Sequence, residues 1–142
     1  MITGNRITSV EAKRDLDDMI TNMRFNINFD DVKTEGDNVD VAYTFTAVYE
    51  GGNSGSPKTV GQLKITGSIA ARESKQTISE VTKLWKDKKT LPIQFAEDVI
   101  NLLNFECGSR GTLVAYSIGF VAPLPISRAK LQEQAVKGSG AA

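Results

Sequence analysis

Three segments of the chain alternate between apolar and polar side chains, the pattern of strands that bury one face. The first begins at Met23, and the second, Val39 to Glu50, is the clearest because its apolar face is rich in aromatic and β-branched residues. The third runs from Val60 and carries Gly67 on its apolar face, which predicts a bulge or a close backbone approach. The predicted inward-facing residues are Met23, Phe25, Ile27, Phe29, Val39, Val41, Tyr43, Phe45, Ala47, Tyr49, Leu63, Ile65 and Ile69.

Two connecting segments are less regular. Thr8 and Glu11 match a capping box, which would start a short helix that reaches Met19. The same residues are also compatible with a lead into the first strand, so both structures stay open. Between the second and third strands, the glycine-rich stretch 51–57 predicts an exposed hairpin loop.

After the strands, the apolar period changes to that of a helix. Thr77 and Glu80 form a second capping-box match, and apolar residues from Ile78 to Trp85 keep helical spacing. A lysine cluster follows, which is favourable at the negative end of a helix. In this helix Trp85 is better interpreted as a packing anchor than as a binding platform.

A long apolar helix is predicted within Leu91 to Pro125. Pro92 suits its first position, and Pro123 and Pro125 force an extended exit. The apolar residues between them cover much more than a 100° stripe, so the helix must bury more than one side. One side can cover the sheet, and a second copy of the protein is the simplest cover for the other.

Four small residues recur at helical spacing in this segment: Gly108, Gly111, Ala115 and Gly119. Such a row lets another backbone approach closely, so these positions are candidate contacts for helix packing or for an oligomer. Glycines inside a helix cost about 1 kcal/mol each relative to alanine. A helix broken at 108–111 is therefore the alternative to a continuous or kinked one.

Together these elements predict an α+β fold, with a small antiparallel sheet of three to four strands packed against a long C-terminal helix. Residues 1–127 form the single predicted domain, and residues 128–142 form a polar, flexible tail. The N-terminal residues lack the apolar core of a signal peptide, and no apolar run reaches the length of a membrane span. We therefore predict a cytoplasmic protein that does not enter a membrane.

Composition excludes several classes of function. The chain has 142 residues with 17 basic and 17 acidic side chains, so it lacks the basic excess of a general nucleic-acid binder. It has no histidine, and its single Cys107 lies in the apolar helix, where it is best interpreted as a small buried residue. The acidic residues lack the spacing of a calcium loop or of an acid/base pair. We predict that the chain is not an enzyme and holds no metal or cofactor.

The order of the strands, the tryptophan-bearing helix and the long helix resembles a known family. The connector, helix and proline-rich exit of archaeal relatives of the SecB-type export chaperones are similar to Trp85, Leu91–Pro92, Ile100–Asn101, Cys107 and Pro123–Leu124–Pro125. The opening segment Ile7–Arg14 is similar to theirs as well. The resemblance implies a four-stranded antiparallel sheet backed by a long helix, and assembly as a dimer or tetramer. It also implies ATP-independent holding of unfolded chains in apolar grooves.

The leading hypothesis is therefore a chaperone-like protein that holds unfolded or nascent polypeptides. Its candidate peptide-binding residues, near the connector and the helix exit, are Trp85, Phe120 and Leu124. The alternative is a non-enzymatic assembly subunit that docks on a larger complex, for example in translation or in a toxin–antitoxin pair. Both hypotheses rest on excess apolar helix surface in a chain without catalytic groups.

Overall fold

The computed structural model describes residues 1–53, 56–120 and 123 as a four-stranded antiparallel sheet and two helices. The elements are β1 (Ile2–Arg14), β2 (Ile20–Glu35), β3 (Asn38–Asn53), β4 (Ser56–Arg72), α1 (Lys75–Lys88) and α2 (Ile93–Ser117). The sheet order is β1-β4-β3-β2, so the connection 15–19 carries the chain from one edge of the sheet to the other. The predicted α+β class, with its antiparallel sheet and long C-terminal helix, is confirmed.

The core is built on β3 and β4, because every second side chain there is apolar. All of the residues predicted to face inward on these two strands are buried. On β2 the apolar side chains are less buried toward the start of the strand than toward its middle. The buried residues of β2 are Ile27 and Phe29, and the half-buried ones are Met23 and Phe25.

A strand, β1, replaces the short helix that the capping box at Thr8 predicted. Ile7 lies opposite Gly67 of β4 and the pairing resumes at Ser9, which leaves Thr8 as the extra residue of a bulge. The Thr8 hydroxyl donates a hydrogen bond to the Thr66 carbonyl at 3.2 Å instead of capping a helix. Pairing with β4 gives hydrogen-bond partners to backbone groups all along residues 2–14. These bonds together stabilise the strand more than one capping hydrogen bond would stabilise a helix.

Close backbone approaches explain two glycines at the sheet. The approach predicted at Gly67 is confirmed, because a Cβ there would collide with the backbone carbonyl of Arg6 on β1. Gly51 is buried under the connection 15–19, where a Cβ would collide with the Met19 carbonyl. The hairpin is also tighter than the predicted loop 51–57, since β3 and β4 both extend into it. Residues 54 and 55 lie outside the described residues.

Helix α1 begins at Lys75, earlier than the capping box at Thr77 predicted. Its N-cap is Ser74, whose hydroxyl accepts a hydrogen bond from the Thr77 backbone N–H at 3.2 Å. Because Ser74 already caps the first turn, Thr77 lies inside the helix and the predicted box is wrong. The C-cap is Lys89, and the basic residues of the last turn are Lys86 and Lys88.

Helix α2 continues without a break through 108–111, so the broken-helix alternative is wrong. It ends at Ser117 because Gly119 adopts a left-handed conformation with φ of 76°. The Phe120 N–H donates to the Ala115 carbonyl at 2.8 Å, and the Gly119 N–H donates to the Tyr116 carbonyl at 3.2 Å. These two bonds form a Schellman motif, which satisfies the last carbonyls and reverses the chain.

Both helices cover the same face of the sheet, since α1 contacts β2 and α2 contacts β4 and β1. The opposite face of β3 and β4 carries mostly polar side chains, and no described element covers it. Within the part of the chain that the structure describes, neither helix combines the length and the apolarity of a bilayer crossing. The predicted tail 128–142 lies outside that part.

Candidate binding surface

One side of α2 carries large apolar side chains that remain exposed. Phe105, Leu113 and Tyr116 are 71%, 79% and 65% exposed. Their spacing places them on one side of the helix, and the half-buried Leu102 continues that side toward the helix start. These four residues are called the α2 strip below. Helix α2 therefore carries more apolar surface than its own sheet covers.

A shallow cleft lies at the start of the α2 strip. Its volume is about 460 Å³, and its lining residues are Ile2, Asp98, Asn101, Leu102 and Phe105. The cleft thus joins the start of the edge strand β1 to α2. Volumes of this size accommodate a small ligand or a few side chains of a peptide. The apolar residues of the lining favour apolar occupants.

A polar seam fastens β1 to α2 beside the strip. The Tyr43 hydroxyl donates to Asn5 Oδ1 at 2.8 Å, and Asn5 Nδ2 donates to Glu106 Oε2 at 3.2 Å. Glu106 in turn pairs with Arg110 one helical turn later, at 3.4 Å. Because the seam connects β3, β1 and α2, it fixes the helix side that presents the α2 strip.

Cys107 lies in the core next to Tyr43, the buried residue of this seam. Its side chain is fully buried, and burial raises the pKa of the thiol to about 12, an effect that the Tyr43 hydroxyl only partly offsets. Burial, and next the neighbouring thiol, also raise the pKa of Tyr43 above its usual range. A thiol in this environment stays protonated and is a poor nucleophile at neutral pH. The structure agrees with the interpretation of Cys107 as a small buried residue.

Trp85 is placed in the core and not on the α2 strip. Its side chain is 8% exposed, and Val81 on the same helix is buried with it. The Lys89 ammonium lies 5.2 Å from the ring centroid, which gives the ring a cation–π contact at its outer side. This placement agrees with a packing anchor. As a peptide-binding residue, Trp85 would have to leave the core.

Phe120 is also a core residue. It is 2% exposed, and its ring stacks on Tyr49 with centroids 4.2 Å apart and an angle of 25°. A Cβ at Gly61 would collide with the Phe120 ring, so the glycine makes room for it. Burial raises the pKa of Tyr49 to about 12. The remaining candidate peptide-binding residue, Leu124, lies outside the described residues.

Arg14 holds the helix exit against the connection between β1 and β2. Its guanidinium carbon lies 5.4 Å from the Phe120 centroid. Nη1 donates to the Ile118 carbonyl at 3.3 Å, Nη2 donates to the Asp18 carbonyl at 3.2 Å, and Nε donates to the Leu16 carbonyl at 3.0 Å. One cation therefore links three segments of the fold at the negative end of α2. Nothing in the spacing along the sequence indicated this role.

The row of small residues packs inside the chain. Its buried members are Gly108, Gly111 and Ala115. At Gly111 a Cβ would lie 2.7 Å from Leu63 Cδ2 and 2.9 Å from Pro123 Cγ, so the close approach is made by the sheet and the helix exit of the same chain. Gly119 is exposed and serves to end the helix. Of the two contacts predicted for the row, helix packing within the chain fits this placement.

Two of the carboxylates in residues 30–40 contact neighbouring side chains of the sheet. Asp30 accepts a hydrogen bond from the Thr44 hydroxyl at 2.6 Å, and Asp37 pairs with Arg72 at 3.7 Å. Among residues 1–53, 56–120 and 123, no group of three or more His, Cys, Asp or Glu side chains is placed to hold a metal ion.

The features of this structure that bear on function are the α2 strip, the cleft and the polar seam. No protein-family model, curated protein or solved structure matches the chain.

Proposed function

We propose that this chain is a chaperone-like protein that holds unfolded or extended polypeptides without ATP, as its resemblance to SecB-type chaperones implies. The observation that carries the proposal is the α2 strip, in which three large apolar side chains are more than half exposed. Contiguous apolar surface of this kind marks interaction sites in proteins. The apolar side chains of an unfolded polypeptide would leave water on this strip, and such binding requires no catalytic group.

The architecture supports the proposal, since a four-stranded antiparallel sheet backed by a long helix agrees with what the resemblance implies. The proposed contact residues differ from those named from the sequence. Trp85 and Phe120 are buried, so the α2 strip and the adjoining cleft take their place.

Three further expectations stay part of this proposal. The chain forms a homo-oligomer, because exposed apolar helix surface is also suited to a second copy. It does not bind nucleic acid, because its 17 basic and 17 acidic residues balance. It works in the cytoplasm, where a single reduced cysteine is usual.

The test is the aggregation of a chemically denatured client enzyme, followed by light scattering with stoichiometric chain and no ATP. The native chain should suppress aggregation, and a triple variant with Phe105→Ser, Leu113→Ser and Tyr116→Ser should lose most of this effect. Met19→Ser is the matched control, because Met19 is an exposed apolar residue outside α2. If the triple variant protects as well as the native chain, the α2 strip is not the binding surface. Failure of the native chain with several clients would remove the chaperone proposal.

The second candidate is a non-enzymatic assembly subunit. The observation that favours it is that the exposed large apolar residues of α2 lie along one side of that helix, a shape that one partner helix or groove can match. Affinity purification distinguishes the two candidates. One stoichiometric partner that is lost in the triple variant favours the assembly subunit, whereas many unfolded clients favour the chaperone.

A further inference from the structure

The chain turns back along α2 after the helix ends. The Phe120 N–H donates to the Ala115 carbonyl. Pro123 is buried against Gly111, which lies one turn nearer to the start of the helix. The chain therefore runs antiparallel to α2 here, on the side that carries the small buried residues. Residues 124–130 follow directly, with the sequence LPISRAK, and lie outside the described residues.

Asn104 is a buried polar residue on the same side of α2. It lies two helical turns before Gly111 and is 8% exposed. Its Oδ1 atom is buried and accepts no hydrogen bond from the part of the chain that the structure describes. A buried acceptor without a donor destabilises a fold, so such atoms are nearly always bonded in native proteins. Asn104 therefore indicates a donor that approaches this side of α2.

Glu97 continues this side of α2 toward the start of the helix. It lies two further turns before Asn104, it is half-buried, and it forms no ion pair with any of the described residues. Its neighbour Asp98 points to a different side, where it lines the cleft. Carboxylates that leave water are stabilised by a cation nearby. Glu97 thus indicates a positively charged partner on the side where Asn104 requires a donor.

The segment after Pro123 has the length to bring a donor to Asn104. From Gly111 to Asn104 the helix rises about 10 Å, a distance that an extended chain covers in about three residues. Three residues beyond Pro123 lies Ile126. Pro125 has no N–H, so the donors at this level are the backbone N–H groups of residues 126 and 127.

The same segment carries cations at the level of Glu97. The rise from Asn104 to Glu97 is again about 10 Å, which takes the extended chain to residue 129. Arg128 and Lys130 flank that position. The ordered chain then extends beyond the domain boundary that was predicted at residue 127.

We propose that residues 124–130 form a strap that runs antiparallel to α2 over its small-residue side. A backbone N–H of Ile126 or Ser127 donates to Asn104 Oδ1, and Arg128 or Lys130 pairs with Glu97. Because the strap is attached at Pro123, its local concentration at this side is on the order of millimolar, which favours it over a separate peptide.

The strap determines which side of α2 a partner can reach. It closes the small-residue side to other chains, and the α2 strip stays open on a different side of the helix. The strap uses none of the four residues of the α2 strip, so this inference does not depend on the proposed function.

Amide hydrogen exchange by NMR on the full chain tests the strap. The amide of Ile126 or Ser127 should be protected about a hundredfold relative to an unstructured peptide of the same sequence. Asn104→Leu removes the acceptor at similar size, so it should lower this protection about tenfold while the amides of β3 stay protected. Asn26→Leu is the matched control, because Asn26 is exposed on the opposite face of the sheet, and it should leave the protection unchanged.

Thermal unfolding of the Asn104→Leu variant gives a second readout, whose sign distinguishes the two cases. When the strap donates to Asn104, the leucine leaves an N–H of the strap unpaired and Tm falls. When no donor reaches Asn104, the leucine removes an unsatisfied buried acceptor and Tm rises. A rise in Tm therefore overturns the inference.

Charge variants test the strap without a change in the core. Glu97→Lys should lower the protection of the strap amides, and the combination of Glu97→Lys with Arg128→Glu and Lys130→Glu should restore it. Asp98→Lys is the matched control and should leave the protection unchanged, since Asp98 lies on a different side of α2. A combined variant that does not recover protection overturns the inference. Native amides at residues 126 and 127 that exchange as fast as those of the unstructured peptide overturn it as well.

Discussion

Replacement of Phe120 by alanine should destabilise the fold strongly, because its ring is buried between the sheet and the helix exit. The ring stacks on Tyr49 at 4.2 Å and lies under the Arg14 guanidinium. Removal of a buried phenylalanine ring costs about 3–5 kcal/mol, since contacts are lost and a cavity remains. Each kcal/mol lowers Tm by roughly 2–4 °C in a domain near this size, so Tm should fall by roughly 10 °C.

Urea unfolding, followed by the fluorescence of the buried Trp85, measures the free energy directly. Phe105→Ala is the matched control, since it removes the same ring from an exposed position on the α2 strip. It should change the free energy of unfolding by no more than about 0.5 kcal/mol, and it should reduce the holding of a client. Suppose instead that Phe120→Ala costs less than about 1 kcal/mol and abolishes holding. Phe120 would then be a surface contact, and the core placement would be refuted.

Three other outcomes follow from the described contacts. Arg14→Gln should lower the free energy of unfolding by about 2 kcal/mol in urea titrations, because charged hydrogen bonds to the connection 15–19 and to the helix exit are lost. No loss would show that these bonds contribute nothing net. Gly119→Ala should cost about 1–2 kcal/mol by the same assay, since an L residue is strained at φ of 76°; a neutral effect would contradict the left-handed helix end. Stability should also fall as pH rises from about 9 toward 12, because the Cys107 thiol ionises near 9.0 when unfolded but near 12 when folded, so the unfolded state loses the proton first. Cys107→Ala should flatten this fall by up to about 1.4 kcal/mol per pH unit, and an unchanged pH profile would contradict the burial of the thiol.

The central strands could be predicted from the sequence because one face of each is fully buried. Where burial is one-sided, selection for apolar side chains repeats every second residue, and β3 shows this from Val39 to Tyr49. The long helix was also predictable, since its apolar content extends over several turns. Its end was not, because Phe120 continues the apolar pattern while Gly119 reverses the chain.

Strand β1 could not be recognised from the sequence because its bulge interrupts the alternation of apolar and polar residues. The extra Thr8 separates Ile7 from Val10 by three positions, although both belong to the same face of the sheet. A separation of three is also the spacing of neighbours on a helix, and a capping-box match at Thr8 strengthened that interpretation. Local signals of this kind cannot show that β4 offers a free edge, which is a long-range property of the fold.

The exposed residues of α2 could not be separated from the buried ones by apolarity alone. Phe105 and Leu113 are as apolar as Leu103, yet only Leu103 faces the sheet. The small residues distinguish the two sides of α2, because Gly111 lies on the side that the sheet approaches closely. Since the small residues of α2 pack against the sheet, the large apolar residues on the opposite side of the helix form the candidate binding surface.

The size of the α2 strip favours transient over permanent binding. Large side chains each present about 150–250 Å², so three of them at the observed exposures offer roughly 400 Å². At about 25 cal/mol per Å² this corresponds to about 10 kcal/mol, which is comparable with the 4–15 kcal/mol cost of association. A stable interface usually buries about 800 Å² on each partner. The strip alone therefore supports weak, exchangeable contacts of the kind that holding an unfolded chain requires.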